Sequence, residues 1–180
     1  GKTTICRCFL EQLNDSTDVA IILNPKLSEV DLLGAICDEF RIRVKGNNKS
    51  IKRYIDCLNK FLLQAYSQNR KCLLIIDEAQ NLDKDVLEMV RLLTNLETTR
   101  EKLLQIILIG QPELRDLLAR EDLRQLSQRI NARFHLEPIN KAETAAYIRH
   151  RLQVCGARET LFNESAVDLV HKLSAGVPRL

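Results

Sequence analysis

Residues 72–82 read Cys-Leu-Leu-Ile-Ile-Asp-Glu-Ala-Gln-Asn-Leu, an aliphatic run that passes straight into two carboxylates. The run is too short for a helix and rich in branched side chains, so it predicts a buried strand over 72–76. Asp77 and Glu78 then stand at the strand's end, and carboxylates are almost never left unpaired in a dry interior. A cation, or a water about to react, is therefore expected beside them. Any fold for this chain has to provide a polar site at that strand end.

The neighbouring segments repeat the pattern. Strands are predicted over 18–23, stopped by Asn24-Pro25, and over 104–109, stopped by Gly110-Gln111-Pro112. Helical spacing fills the intervals: 5–13; 30–40 behind Ser28 and Asp31; 50–68 after the loop Gly46-Asn47-Asn48; and 83–96, with the stripe Val86, Leu87, Val90, Leu93 and Leu96. Short helices are predicted over 113–119 and 122–130, and a brief strand over 133–136 ahead of Pro138. Beyond it the pattern is helical only. Asn140 with Glu143 has capping-box spacing and opens a helix to 154, and a last helix over 164–174 ends at Gly176. Aliphatic strands alternating with helices predict an α/β class, a parallel sheet covered by helices, over 1–138. Residues 139–180 are the beginning of a small helical subdomain.

Composition narrows the partners. A chain of 180 residues with 45% apolar and 28% charged content is that of a globular domain, and its apolar runs are far too short to span a bilayer. Lys and Arg number 27 against 24 Asp and Glu, scattered along the chain, which gives a nucleic-acid surface little support. The six cysteines form no CxxC pair and sit mostly at apolar positions, the pattern of reduced core thiols in a cytosolic protein. The chain opens without an initiator Met or a signal peptide and is expected to be a fragment.

Gly1-Lys2-Thr3 is the last third of G-x-x-x-x-G-K-[ST], whose backbone N–H groups, lysine and hydroxyl hold a nucleotide's phosphates and Mg²⁺. The tripeptide alone is common; followed by an aliphatic strand ending in Asp-Glu, it is specific. Gly1, Lys2, Thr3 and Thr4 are the phosphate-binding candidates. Asp77 would hold hydrated Mg²⁺ alongside Thr3, while Glu78 orients and deprotonates the attacking water. The competing reading has Asp77 and Glu78 capping the helix at 83 or facing solvent. Because a parallel sheet binds ligands at the carboxyl ends of its strands, Gln111 is a candidate for the terminal phosphate or the water, against a purely local role. Asn95 is another, although a C-cap residue needs no function. Phosphoryl transfer also needs cations. Arg133 lies where a side chain can point at a neighbouring subunit's nucleotide, and Arg129 is the second choice, with a solvated basic face as the alternative for both. Arg179, in Gly176-Val177-Pro178-Arg179, is placed to reach back over the phosphates.

Taken together, these residues, and above all the runs 73–119 and 123–152, resemble an AAA+ ATPase of the general secretion pathway protein A family, a similarity that extends over nearly the whole chain. The resemblance implies that Lys2 and Thr3 match the Walker A lysine and hydroxyl, Asp77 and Glu78 the Walker B pair, and Gln111 the sensor 1 position. It makes Arg133 the arginine finger and Arg179 sensor 2. It implies a P-loop ATPase that turns ATP to ADP and phosphate with Mg²⁺, works as a homo-oligomeric ring or partial ring, and drives assembly in type II secretion or related pilus biogenesis. Its partners would be secretion or pilus assembly proteins, and its place a cytoplasmic domain of an inner-membrane-anchored bacterial protein. The related transposition helpers share most of the motifs, so a filament-forming, DNA-associated ATPase is the alternative, with nucleic acid the less favoured partner. In the family pattern a first strand and the glycine-rich half of the phosphate loop precede Gly1, the strand lying between those at 104–109 and 133–136. The 180 residues alone are accordingly expected to bind ATP poorly and to be marginally stable.

Overall fold

Three aliphatic segments pair in parallel to make the sheet of a computed structural model, which describes residues 2–23, 26–45, 50–99, 101–157 and 161–178; within residues 2–11 the side chains described are those of residues 6 and 8–11. The chain runs α1 (Lys2–Glu11), β1 (Thr17–Ile22), α2 (Glu29–Glu39), α3 (Ile51–Ser67), β2 (Lys71–Ile76), α4 (Lys84–Leu93), β3 (Leu104–Leu108), α5 (Glu113–Leu118), α6 (Arg124–Ser127), α7 (Lys141–Val154) and α8 (Glu164–Ser174). It divides into two compact units, residues 1–11 with 134–180, and residues 12–133.

In the larger unit the strand order is β1-β2-β3, with Ala20 opposite Leu74 and Leu74 opposite Ile106. Strands added in one direction by crossovers of one hand put their connections on one face. Alternation along the strands then decides which residues meet those helices. Ala20, Ile22, Cys72, Leu74, Ile76 and Leu104 join one cluster with Leu32, Leu33 and Ile36 of α2, Leu58 and Leu62 of α3, and Val86, Leu87 and Val90 of α4. Leu73 and Ile75 take the opposite face and are also buried, so β2 is a fully buried central strand beyond Lys71. Ser28 and Ser50 cap α2 and α3 by accepting from the Asp31 and Arg53 backbone N–H groups. The Asn24-Pro25 stop and the Gly46-Asn47-Asn48 loop lie outside the described residues.

Two sequence expectations need correction. Residues 133–136 form no strand; the stretch is exposed, with Phe134 89% accessible. A strand exists only through its neighbour's hydrogen bonds, and among the described residues nothing pairs with the second edge of β3. The helix expected to reach 96 stops at Leu93, because the Thr94 hydroxyl donates to the Arg91 carbonyl at 2.6 Å and the chain turns back, Leu103 N donating to Leu96 O at 3.0 Å.

The smaller unit contains the predicted capping box: Glu143 N donates to Asn140 Oδ1 at 2.9 Å and Asn140 N to Glu143 Oε2 at 2.8 Å. Lys141 pairs with Asp168 between α7 and α8, and Thr144 Oγ1 meets His171 Nδ1 at 2.9 Å. Cys37 and Cys72 are buried thiols. Burial pushes the Cys37 thiol up to about 12 and the Cys72 thiol up to about 11, so both stay protonated.

Candidate active site at the carboxyl ends of β2 and β3

The acidic end of β2 is stitched to both neighbours. Asp77 N donates to Ile22 O, Ile109 N to Ile76 O and Ala79 N to Ile109 O, each at 2.8 Å. Between them the chain reverses at Glu78, whose φ of 52° and ψ of 36° lie in the left-handed region. For a residue with a Cβ that conformation costs about 1–2 kcal/mol. Here it lets Glu78 N donate to Asp77 Oδ1 at 2.8 Å, and a 3-10 turn over Ala79–Asn81 follows with Ala79 fully buried. Strain of this kind gathers where the backbone must aim a side chain. The result is a pair of half-buried carboxylates at one strand end.

Gln111 comes to this pair from beyond β3. Its Nε2 donates to Glu78 Oε2 at 3.2 Å. A second amide does more: Gln80 Nε2 donates to the same Glu78 oxygen at 2.6 Å, while Gln80 Oε1 accepts from Gln111 N at 3.0 Å. Gly110 makes room for it, since a Cβ there would sit 2.9 Å from Gln80 Oε1 and 2.7 Å from Leu114 Cδ2. Neither Gln80 nor Gly110 was among the sequence candidates. Gln80 stands three residues past Asp77 with no periodic signal, and only the side-by-side placement of β2 and β3 gives it a partner.

The remaining candidates are distributed as follows. Arg133 is exposed, and its Nη2 donates to Ser127 O at 3.1 Å and Ser127 Oγ at 2.5 Å. Arg129 Nη1 donates to Thr94 Oγ1 at 3.4 Å. The structure therefore joins Glu78, Asp77 and Gln111 but gives both arginines other partners in the same unit. Asn95 is exposed just past the C-cap of α4, its N–H donating to Leu92 O at 3.0 Å. The α1 backbone includes residues 2–4, whereas the side chains of Lys2, Thr3 and Thr4 lie outside the described residues, as do Gly1 and Arg179.

The donor set suits a hard cation held mainly by its ligand. Asp77 Oδ1 accepts from the backbone, and Oδ2 has no hydrogen bond among the described residues. No group of three or more His, Cys, Asp or Glu side chains able to hold a metal occurs among those residues. A single carboxylate completed by phosphate oxygens and water is the arrangement Mg²⁺ favours, whereas Zn²⁺ or Ca²⁺ needs more protein ligands.

Fold and strand-end acids together define a P-loop AAA+ domain, and a family model described as AAA domain matches residues 1–118, so the chain belongs to that family. Its fold recurs in the crystal structure of Cdc6p from Pyrobaculum aerophilum, at a TM-score of 0.73 and 18% identity over 94% of this chain and 44% of that one. It recurs also in the Aeropyrum pernix ORC2 protein, in ADPNP-ADP complexes, at 0.65 and 18% over 92% of this chain and 45% of that one. In sequence, the chain is 48% identical over all 180 residues to the general secretion pathway protein A of Aeromonas hydrophila. It spans 33% of that relative's length. No described helix is long and apolar enough to cross a membrane.

Proposed function

We propose that this chain is the ATPase domain of a secretion-pathway protein, hydrolysing ATP to ADP and phosphate and using the cycle for assembly in type II secretion or related pilus biogenesis. One observation carries the reading: a left-handed turn presents Asp77 and Glu78 at the end of β2, with Gln111 from beyond β3 bonded to Glu78. In this reading residues 1–138 are the ATPase core and 139–180 the start of its lid. Lys2, Thr3 and Thr4 grip the phosphates, and Arg179 closes over them. Asp77 and Thr3 are the residues that would hold Mg²⁺, which when bound neutralises charge on the phosphate oxygens. Glu78 takes a proton from the attacking water, and Gln111 orients that water or the terminal phosphate. Arg133, with Arg129 as second choice, supplies a cation to a neighbouring subunit in a homo-oligomer. Identity to the Aeromonas hydrophila protein supports the pathway, and in this reading the chain is a cytoplasmic domain of a membrane-anchored protein.

The test is ATP hydrolysis by the full-length protein carrying Glu78→Gln or Arg133→Ala. Loss of a general base is expected to lower kcat by a factor on the order of 100 or more. Hydrolysis at the unsubstituted rate in both variants refutes the assignment. Salt-dependent DNA binding near physiological ionic strength, with hydrolysis intact, would move the proposal from secretion to the transposition-helper reading.

A further inference from the structure

Glu78 lies just past the end of β2 and Gln111 just past the end of β3, and the Gln80 side chain bonds to both. Its two ends do opposite things, and the chemistry leaves one arrangement. The Gln111 backbone N–H can only donate, so it must meet the amide oxygen of Gln80; an ionised Glu78 can only accept, so it must meet the amide nitrogen. The observed distances, 3.0 Å at the oxygen and 2.6 Å at the nitrogen, follow that assignment. A flipped amide would set donor against donor and acceptor against acceptor.

The seat of this side chain is also built. Gln80 is half-buried on the 3-10 turn Ala79–Asn81, and its carbonyl oxygen lies where a Cβ on Gly110 would intrude. Glutamate has three rotatable side-chain bonds, and a base that wanders among rotamers is out of position for much of the time. Two amide donors converge on Glu78 Oε2, from Gln80 and from Gln111, and the bond to Gln111 N ties the end of β3 into the same ring. Hydrogen bonds to an ionised acceptor are the strong kind, and orientation fixed in advance need not be found again at each turnover.

We infer that Gln80 is a positioning residue for the proposed hydrolysis: it aims the Glu78 carboxylate and couples that aim to Gln111, without touching the nucleotide. The inference rests on the ATPase reading given above.

Gln80→Met and Gln80→Glu in the full-length protein test it, each alone and combined with Glu78→Gln. Methionine keeps the length and bulk of glutamine while removing both hydrogen bonds. Glutamate keeps an acceptor for Gln111 N but places a second negative charge against Glu78. Both are expected to lower kcat by a factor on the order of 10 to 100, as misplacement of a catalytic group does, Gln80→Glu the more severely. KM for ATP should stay within about twofold, because an interaction lost only in the transition state leaves ground-state binding alone. In the Glu78→Gln background, Gln80→Met should change the residual rate by less than about twofold, since there is no base left to aim.

Gln80→Met with the parent's kcat overturns the inference. So does a fall in kcat accompanied by a matching rise in KM, or an undiminished effect in the Glu78→Gln background, both of which describe a merely structural residue. The two readings fail differently. If Glu78→Gln itself hydrolyses ATP at the parent's rate, the ATPase assignment of Glu78 is lost and this inference goes with it; if Glu78→Gln is dead while Gln80→Met is normal, only the inference about Gln80 is lost.

Discussion

A methyl group at Gly110 would come within 2.9 Å of Leu114 Cβ, an atom anchored on α5, as well as meeting the Gln80 amide. Neither neighbour can yield without moving something else, so Gly110→Ala should destabilise the protein by about 1–3 kcal/mol, the usual range for overpacking. Urea unfolding measures that effect, and hydrolysis should fall with it because Gln80 is displaced from Glu78. Unchanged stability would mean that α5 shifts freely. That Asp77, Glu78 and Gln111 come together was legible in the sequence because each follows an aliphatic run, and parallel strands bring their carboxyl ends side by side. Gln80 and Gly110 were not, since their partners become apparent only once Ile76 lies opposite Leu108 in the register of β2 and β3. The bonds from Arg133 to Ser127 were hidden for the same reason: a short loop returns the guanidinium to the end of α6, and no periodicity encodes that return.

At the level of elements, local chemistry sets most boundaries, and those were the ones that could be read. The Asn140 and Glu143 pair starts α7 where two reciprocal hydrogen bonds become available. Asn140→Ala removes one of them and should cost about 1 kcal/mol. The cost should appear as faster amide hydrogen exchange in the first turn of α7, with the amides of β2 unaffected; equal acceleration in both would show that the cap supports the whole chain. Where a boundary depends on distant partners, sequence pattern misleads. Leu96 continues the apolar stripe of α4, yet it reaches the core from a turn, after Thr94 has ended the helix. Phe134 sits in a run that looks like a strand, but a strand exists only where it pairs, and among the described residues this run pairs with neither outer edge of the sheet. The buried strand β2 needed no such context, because its branched, wholly apolar run already excludes an exposed position.

For the molecule as an assembly, the proposal turns on whether Arg133 serves its own nucleotide or a neighbour's. Its guanidinium is exposed and held by Ser127, with no bond to Glu78 or Asp77. A head-to-tail interface, which closes into a ring when its rotation allows, would bring the arginine of one subunit to the acids of the next. Mixing two inactive full-length variants separates the cases. A Glu78→Gln subunit has lost its base but keeps the arginine it lends; an Arg133→Ala subunit keeps its base but lends nothing. A productive site then needs an Arg133→Ala subunit receiving its arginine from a Glu78→Gln subunit. With random assembly of equal amounts, about one quarter of the interfaces meet that condition. Hydrolysis should therefore rise from near zero at either pure end to a maximum at the equal mixture, tracing the product of the two fractions. An arginine acting within its own subunit predicts instead a straight line between the two parent rates at every mixing ratio.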